Sequence, residues 1–237
     1  MTPKTTSASS PLDAKRRLYG RRRGRKLRAG RRALMDTKLP QLRITLPASG
    51  SVDPRKLFSP PAREIWFEIG FGAGEHLTAQ AASHPGIGFI GAEVFENGIA
   101  KLLADVESRG LGNIRIFADD ARLLLDRLAD RSIGRVFILF PDPWPKGRHK
   151  KRRLVSRETL GRLAQAMRPG AELRLATDDP DYAAWMEELL GSQDGFEALA
   201  QGEGAWAARP PDWPPTRYEQ KAVSGGPARF FLYRRKG

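Results

Sequence analysis

The stretch IWFEIGFGAGEHLTAQAASHPGIGFIGAEV, residues 65–94, decides the fold of this chain. It opens on an apolar run at 65–70, turns through GFGAG at 70–74, continues as a helical run at 74–83 and ends on a second apolar run at 88–94. A strand, a glycine turn, a helix and a second strand make the βαβ unit of a doubly wound sheet. The glycines let the backbone turn tightly and approach a ligand closely.

The same alternation continues to residue 191. Helical runs at 96–110, 121–130, 156–167 and 179–191 alternate with strand-like runs at 114–119, 135–140 and 173–177. Two late strand-like runs, 196–200 and 228–235, have no helix between them. This order predicts an α/β fold: a mostly parallel, seven-stranded Rossmann-like sheet with an antiparallel edge strand and helices on both faces.

Charge is distributed unevenly along the chain. The 237 residues carry a net charge of +14, yet residues 1–35 hold twelve Lys and Arg against one acid, and residues 146–153 hold six with no acid. The rest of the chain is mildly acidic, at −3. Two cationic segments on an acidic globule favour a polyanionic partner, such as a nucleic acid.

Composition argues against several classes of protein. The chain has no cysteine and three scattered histidines, which removes disulfides and thiol nucleophiles and argues against a zinc site. No apolar run approaches about 18 residues, and the N-terminus lacks an apolar signal core, so we expect neither a membrane span nor secretion. The expectation is a cytoplasmic protein without a metal, either a monomer or a homodimer.

The composition of residues 1–35 predicts a mobile basic arm. Its Ser, Thr, Gly and Arg residues offer too little apolar surface for the segment to fold. Residues 36–237 predict a single domain that begins with a proline-bearing connector at 36–62. An organelle transit peptide is the alternative interpretation of the arm. The glycine spacing of YGRRRGRKLRAG, residues 19–30, fits wrapping around a nucleic-acid backbone better than an amphipathic targeting helix.

Acidic residues occupy the first three predicted strands or their ends. Glu68 lies within the first, Glu93 ends the second nineteen residues after Gly74, and Asp119 and Asp120 end the third. The carboxyl ends of parallel strands share one crevice, where such acids suit an adenosine-bearing cofactor. Since the loop lacks the G-x-G-x-x-G spacing, and nearby acids would repel a pyrophosphate, S-adenosylmethionine fits better than a dinucleotide.

The run FPDPWPKGRHKKRR, residues 140–153, follows the fourth predicted strand. Pro141 and Pro143 restrict the backbone around Asp142 and so hold its carboxylate in place. Trp144 offers a ring for base stacking, and the six Lys and Arg that follow offer phosphate contacts. The alternatives are an ordinary turn aspartate, a core tryptophan and a solvated basic helix face.

Two later segments are candidates for substrate contacts. Asp178 follows the fifth predicted strand, where it could accept a hydrogen bond from a base edge or cap the helix that follows. The segment TRYE, residues 216–219, follows a proline-rich stretch and could be a substrate-binding loop or the start of a helix.

With these residues in place, the chain resembles the bacterial tRNA (guanine-N7-)-methyltransferases from about residue 15 to its last residue. The resemblance implies a class I methyltransferase fold, S-adenosylmethionine as donor and a guanine at position 46 of the tRNA variable loop as acceptor. The first of its motifs is common to many methyltransferases, whereas the run at 140–153 is highly specific. The motifs are EIGFGAGEHL (68–77), GAEVFENGIAKLL (91–103), FPDPWPKGRHKKRRLV (140–155), LRLATDDPDYAAWM (173–186), TRYEQKA (216–222) and the arm YGRRRGRKLRAGR (19–31).

The resemblance also implies roles for the residues at matching positions, with Asp142 as the catalytic residue. Tyr218 stands where the family often has Phe, which preserves an aromatic ring, and Asp119 stays an alternative to Asp120. The cofactor contacts would be Glu68, Gly70, Gly72, Gly74, Glu93, Asp120 and Asp142. The substrate contacts would be Lys146, Asp178, Thr216, Arg217, Tyr218 and Glu219. The RNA contacts would be Arg148, His149, Lys150, Lys151, Arg152 and Arg153.

Three other activities fit parts of the pattern. Base methyltransferases that act on an exocyclic amine of DNA or RNA often carry Asp/Asn-Pro-Pro-aromatic at this strand end, whereas this chain has Pro-Asp-Pro-Trp and a basic run. A non-catalytic RNA-binding protein with a vestigial fold would not need Glu68, Glu93 and the glycine loop. A dinucleotide oxidoreductase is the most distant alternative.

Deletion of residues 1–28 should weaken tRNA binding and leave S-adenosylmethionine affinity unchanged, because the cations of the arm neutralise phosphates. Each phosphate contact adds about −0.7 to −0.9 to the slope of log affinity against log salt concentration. Titration of tRNA at several salt concentrations measures this slope. A slope identical to that of the full chain would show that the arm does not touch RNA.

Overall fold

The computed structural model of the protein describes residues 20–200, 208–214 and 226–237. Its strands are β1 (Ile65–Ile69), β2 (Gly88–Ala92), β3 (Ile114–Phe117), β4 (Ile133–Leu139), β5 (Met167–Thr177), β6 (Phe196–Ala198) and β7 (Arg229–Arg235). Its α-helices are α1 (Ala29–Thr37), α2 (Leu39–Leu42), α3 (Glu75–Ser83), α4 (Glu96–Arg109), α5 (Ala121–Leu125), α6 (Arg157–Ala166) and α7 (Pro180–Gly191). Short 3-10 helices cover Pro54–Leu57 and Gly147–Arg152.

The strands form one sheet in the order β3-β2-β1-β4-β5-β7-β6. Strands β1 to β5 pair in parallel, and β7 runs antiparallel to both β5 and the edge strand β6. The predicted seven-stranded, mostly parallel sheet with antiparallel pairing at one edge is therefore confirmed. The reversed strand lies one position in from the edge rather than at the edge itself.

Helices cover both faces of the sheet, as predicted. On one face, Phe67 and Ile69 of β1 share a core with α5, α6 and α7. On the other face, Trp66 and Phe89 share a core with α2, α3 and α4. Every residue of β1 and β2 is buried, which explains why both strands are continuous apolar runs.

The sheet reverses its direction of growth at β1. The chain adds β2 and β3 on one side of β1, and then returns to add β4 and β5 on the other side. The connections leaving the carboxyl ends of β1 and β4 therefore diverge and leave a crevice between them.

The predicted arm is partly packed onto the domain. Its boundary at residue 35 falls inside α1, whose Leu34 and Met35 pack against the core beneath α4. Lys38 then pairs with Glu107 of α4 at 2.7 Å. Residues 1–19 lie outside the described part of the chain.

Two boundaries differ from the predicted ones by several residues. Strand β5 begins at Met167, six residues before the predicted start, because Met167 pairs with Ile133 ahead of a register shift between Ile133 and Arg135. Helix α5 ends at Leu125 instead of residue 130. Within the described ranges, no helix combines the length and the apolar character that crossing a bilayer requires.

Candidate active site

A cavity of about 470 Å³ opens at the carboxyl ends of β1, β2 and β4. This volume lies within the range of about 300–1,000 Å³ that is usual for small-molecule sites. Five of the predicted cofactor residues line it, namely Gly70, Gly72, Glu93, Asp120 and Asp142. The other lining residues are Gly20, Arg21, Ile69, Val94, Phe95, Arg122, Phe140, Pro141, Trp144, Arg152 and Leu154.

The glycine loop follows β1 and forms the floor of the cavity. Gly70 and Gly72 have φ angles of 76° and 54°, in the left-handed region that glycine adopts most easily. Gly74, at φ 79°, begins α3 and does not line the cavity. An added Cβ at Gly74 would lie 2.6 Å from Leu102, so close helix packing explains this glycine, and its cofactor contact stays a prediction.

Glu93 joins three pieces of backbone at the end of β2. Its Oε2 accepts a hydrogen bond from Gly72 N at 2.8 Å, and its Oε1 accepts from Val94 N at 2.7 Å and Phe95 N at 2.9 Å. Burial raises the pKa of Glu93 and the charge of Asp142 adds to the rise, while the three backbone N–H groups oppose it. Since a carboxylate has about four acceptor sites, Oε2 keeps one for a ligand hydroxyl.

The structure separates the two aspartates that follow β3. Asp120 lines the cavity, whereas Asp119 accepts hydrogen bonds from Arg22 Nη2 at 2.9 Å and from Asp120 N at 2.8 Å. Asp120 in turn accepts from Arg122 through its backbone N and its guanidinium, at 3.0 Å from each of N and Nε to Oδ1. A cofactor that used the Asp120 carboxylate would therefore share it with Arg122, which also lines the cavity.

Glu68 does not line the cavity. Its carboxylate is 3% exposed and lies 2.7 Å from Nδ1 of His76 on α3. We expected Glu68 to face the crevice because a buried acid needs a partner, and that partner is His76 instead. A cofactor contact by Glu68 stays a prediction. The described residues contain no cluster of His, Asp or Glu side chains that could bind a metal ion.

The corner that carries Asp142 has an unusual backbone. Phe140 and Trp144 have φ angles of 49° and 46°, a conformation that costs a bulky residue about 1–3 kcal/mol. Phe140 N donates to Ala176 O of β5 at 2.8 Å, which fixes where the corner begins. Asp142 lies at the tip, exposed to solvent and bordering the cavity.

The basic run after this corner divides into exposed and engaged side chains. Lys146, Arg148 and Lys151 are exposed. The guanidinium of Arg152 lies 5.0 Å from the ring of Trp144, and Lys150 pairs with Asp181 of α7 at 2.7 Å.

His149 and Arg153 differ from the other cations of the run. The ring of His149 lies 6.0 Å from that of Trp144. Desolvation, followed by the charges of Arg152 and Arg148, lowers the pKa of His149. Arg153 is 3% exposed and does not present its guanidinium at the surface.

The candidate substrate residues fall into two groups. Asp178 is buried at the end of β5, and the cap of α7 is Asp179, which accepts from Tyr182 N at 2.7 Å. The capping alternative for Asp178 is therefore wrong, and its substrate contact stays a prediction. Thr216, Arg217, Tyr218 and Glu219 lie outside the described residues.

A segment of the predicted arm forms one wall of the cavity, which sequence reasoning missed. Residues 20–28, which we call the strap, run past the cavity mouth, and Gly20 and Arg21 line it. The spacing of glycines and arginines identified this segment as unusual. It gave no sign that the segment would reach the crevice, because the residues it contacts lie more than seventy positions further along the chain.

Backbone and side-chain bonds hold the strap on the start of α4. Glu96 N donates to Arg22 O at 2.9 Å, and Gly24 N donates to Asn97 Oδ1 at 2.8 Å. Asn97 Nδ2 donates to Arg25 O at 2.7 Å. Removal of residues 1–28 would therefore also remove a cavity wall, so this deletion does not separate the arm from the cavity. Deletion of residues 1–19 is the variant that keeps every described lining residue.

Gly98→Ala should weaken S-adenosylmethionine binding about tenfold, equivalent to about 1.4 kcal/mol. An added Cβ at Gly98 would lie 2.1 Å from the carbonyl oxygen of Gly72, so the glycine loop must shift and disturb the bond from Gly72 N to Glu93. Isothermal titration calorimetry measures the affinity. Gly161→Ala on α6 is the control, because nothing lies within 4 Å of its added Cβ. Equal affinities for both variants would show that the donor does not contact this loop.

Solved structures of low sequence identity share the fold. The 16S rRNA methyltransferase KamB gives a TM-score of 0.53 at 16% identity, with 80% of this chain and 95% of that chain covered. TrmN from Thermus thermophilus gives a TM-score of 0.50 at 16% identity, with 86% of this chain and 48% of that chain covered. At such identities the likeness shows the fold alone.

Sequence comparisons are more specific. A family model described as a putative methyltransferase matches residues 62–232. A tRNA (guanine-N(7)-)-methyltransferase of Paramagnetospirillum magneticum is 50% identical over 93% of both chains, and one of Rhodospirillum rubrum is 46% identical over 93% of this chain and 88% of the relative. One of Zymomonas mobilis is 44% identical over 97% of this chain and 98% of the relative. The resemblance seen in the motifs is thus confirmed, and the chain belongs to the tRNA (guanine-N(7)-)-methyltransferase family.

Proposed function

We propose that the protein transfers a methyl group from S-adenosylmethionine to N7 of guanine 46 in the variable loop of tRNA, in the cytoplasm, with Asp142 as the catalytic residue. The family names of relatives at 44–50% identity support the reaction and the tRNA substrate. The single structural observation that carries the assignment is the position of Asp142, which borders a cavity lined by Glu93 and the glycine loop.

The residues around the cavity fit this donor. S-adenosylmethionine, when bound, supplies an electrophilic methyl group on a positively charged sulfur. Glu93 has one acceptor site left for a ribose hydroxyl, and Gly70 and Gly72 leave the backbone open to close approach. Three acids, Glu93, Asp120 and Asp142, line the cavity with three arginines, Arg21, Arg122 and Arg152. Since Asp120 is paired with Arg122, Glu93 and Asp142 are the acids that a cationic donor would meet.

Asp142 acts by electrostatics and orientation rather than as a base. N7 of guanine carries a free lone pair at neutral pH, so no proton has to leave before the methyl–N7 bond forms and the methyl–sulfur bond breaks. Positive charge moves from the sulfur to the purine during this displacement. A carboxylate beside the sulfur and N7 stabilises the migrating charge. The alternative role is that Asp142 accepts from the N1 and N2 donors, on the opposite edge of guanine, and so aims N7 at the methyl group.

The aromatic side chains of the corner suit a purine. Phe140 and Trp144 border the cavity on the side of Asp142, where a guanine ring could stack. Lys146 follows Trp144 and is exposed, in reach of a phosphate next to that base. Asp178 is part of this proposal as a further contact to the guanine edge.

The remaining cations form the tRNA surface of the proposal. Arg148 and Lys151 are exposed in the segment that precedes Arg152, which lines the cavity, and the strap carries further arginines. Residues 1–35 act here as an RNA-binding arm attached to one catalytic domain, residues 36–237. Incubation with labelled S-adenosylmethionine and unmodified tRNA, followed by nucleoside analysis, tests the function. 7-Methylguanosine at position 46 supports it, and methylation of an exocyclic amine contradicts it.

Asp142→Asn should lower kcat about 100-fold or more and weaken S-adenosylmethionine binding far less, because the amide cannot stabilise the developing positive charge. Single-turnover methylation at saturating tRNA measures the chemical step. Asp130→Asn, at the amino end of the same strand and exposed, is the matched control and should behave as wild type. A near-normal single-turnover rate for Asp142→Asn would refute the catalytic assignment.

S-adenosylmethionine affinity should fall as the pH is lowered, and the fall should begin at a higher pH than it would if Glu93 had the pKa of an ordinary glutamate. Because burial raises the pKa of Glu93 above its usual value of about 4.3, this carboxylate takes up a proton earlier as pH falls. Protonation removes an acceptor and a negative charge from the cavity. Titrations between pH 4.5 and roughly 8 measure the profile. Glu93→Gln should bind weakly with a flat profile, and Glu107→Gln, remote on α4, should keep the wild-type profile; a pH-dependent Glu93→Gln would contradict this origin.

A further inference from the structure

Arg153 is buried at the end of a run whose other cations reach the surface. Its side chain has no exposed area, whereas Arg148 and Lys151 are exposed a few positions earlier. A buried guanidinium carries a large desolvation cost, so a chain retains one only where it is paired and hydrogen-bonded. This burial is incompatible with a direct phosphate contact by Arg153.

The guanidinium of Arg153 joins the Asp142 corner to α7. Its Nε donates to the carbonyl oxygen of Pro143, the residue directly after Asp142, at 2.8 Å. Its Nη2 donates to the carboxylate of Asp181 in the first turn of α7. The rings of Tyr182 and Trp185 cover it, with centroids 4.7 Å and 5.2 Å from its central carbon.

The corner needs such a support because its backbone can do little to hold itself. Pro141, Pro143 and Pro145 have no N–H to donate. Phe140 and Trp144 occupy the left-handed region, which bulky residues keep only when surrounding contacts enforce it. The bond from Phe140 N to β5 fixes the start of the corner, and the bond from Arg153 to Pro143 O fixes its far side.

Helix α7 also holds the residues that follow Arg153. Tyr182 Oη accepts from Val155 N at 3.1 Å, and Trp185 Nε1 donates to Val155 O at 2.8 Å. Asp181 pairs with Lys150 as well as with Arg153. The second half of the basic run is therefore attached to α7 at several points, and Arg153 extends this attachment to the corner.

We infer that Arg153 is a positioning residue for Asp142, which links the Asp142 corner to α7, and is not one of the RNA contacts. The inference rests on the proposed role of Asp142. A guanidinium suits this link because its Nε and Nη2 donate from fixed positions in one plane to Pro143 O and to Asp181, whereas lysine offers all its donors from one nitrogen on a flexible stem. Loss of this link lets the corner relax and moves the carboxylate, and a displacement of about 1 Å in a reacting group costs about 100-fold in rate.

The test compares Arg153→Met and Arg153→Lys with two other substitutions. Both Arg153 variants should lower kcat at saturating tRNA about 10- to 100-fold. Their tRNA affinity and its salt dependence should stay at the wild-type level. Arg148→Met, on the exposed face, should instead raise the tRNA Kd and reduce the salt slope by about 0.7–0.9. Arg168→Met, a half-exposed arginine at the start of β5 paired with Glu64, is the control for lost charge and should change neither quantity.

Two results would overturn the inference. One is a weaker tRNA affinity and smaller salt slope for Arg153→Met with kcat unchanged, which is the signature of a phosphate contact. The other is full activity of Arg153→Lys, which would show that charge alone suffices. If Arg153→Met does not fold, Asp181→Ala is the second variant, because Asp181 is half-exposed and alanine removes the acceptor for Arg153; it should lower kcat without weakening tRNA binding.

Hydrogen exchange separates this inference from the proposed function. Peptides that span residues 136–146 should exchange faster in Arg153→Met than in wild type and in Arg168→Met, whether or not the protein methylates tRNA. Faster exchange without any methyl transfer by the wild type would reject the function and keep the structural link. Unchanged exchange would reject the link itself.

Discussion

The reversal of strand order at β1 is the constraint on which the site depends. Because β2 lies on one side of β1 and β4 on the other, the connections after β1 and β4 diverge and leave a crevice at the carboxyl edge. The glycine loop, Glu93 and Asp142 all follow strands that end at this edge. Burial of the strands on both faces fixes their register. The register in turn places the glycine loop, Glu93 and Asp142 at the crevice.

The acids at this edge have similar sequence settings and different surroundings. Glu93 connects two parts of the site, because its carboxylate accepts hydrogen bonds from the glycine loop and from the residues before α4. It still has an acceptor site for a ligand. Asp119 holds the strap through Arg22, and Asp120 is shared with Arg122. Glu68 pairs with His76 beneath the loop. The strands bring these acids to one region of the molecule. The hydrogen-bond partner of each carboxylate then determines its role.

The basic segments are divided in the same way. The run after Asp142 reads as one patch of positive charge, yet Arg153 turns inward to α7 while Arg148 and Lys151 face solvent. The arm likewise contains a strap that borders the cavity and a helix, α1, that packs on α4. The number of Lys and Arg residues sets the electrostatic attraction to tRNA. Which of these side chains can contact tRNA depends on the contacts that each one makes within the fold.

The sequence by itself determined the sheet, its parallel core and the crevice, because apolar runs, helical periodicity and glycine turns are local signals that each segment carries. The run at 140–153 also indicated the family, because this motif is specific to it. Only the tertiary structure decided that Glu68 meets His76, that Asp120 rather than Asp119 borders the cavity, that Gly20 and Arg21 form its wall, and that β5 starts at Met167. Each of these depends on a partner far away in the chain, and a local pattern holds no information about which distant side chain will fill the space beside it.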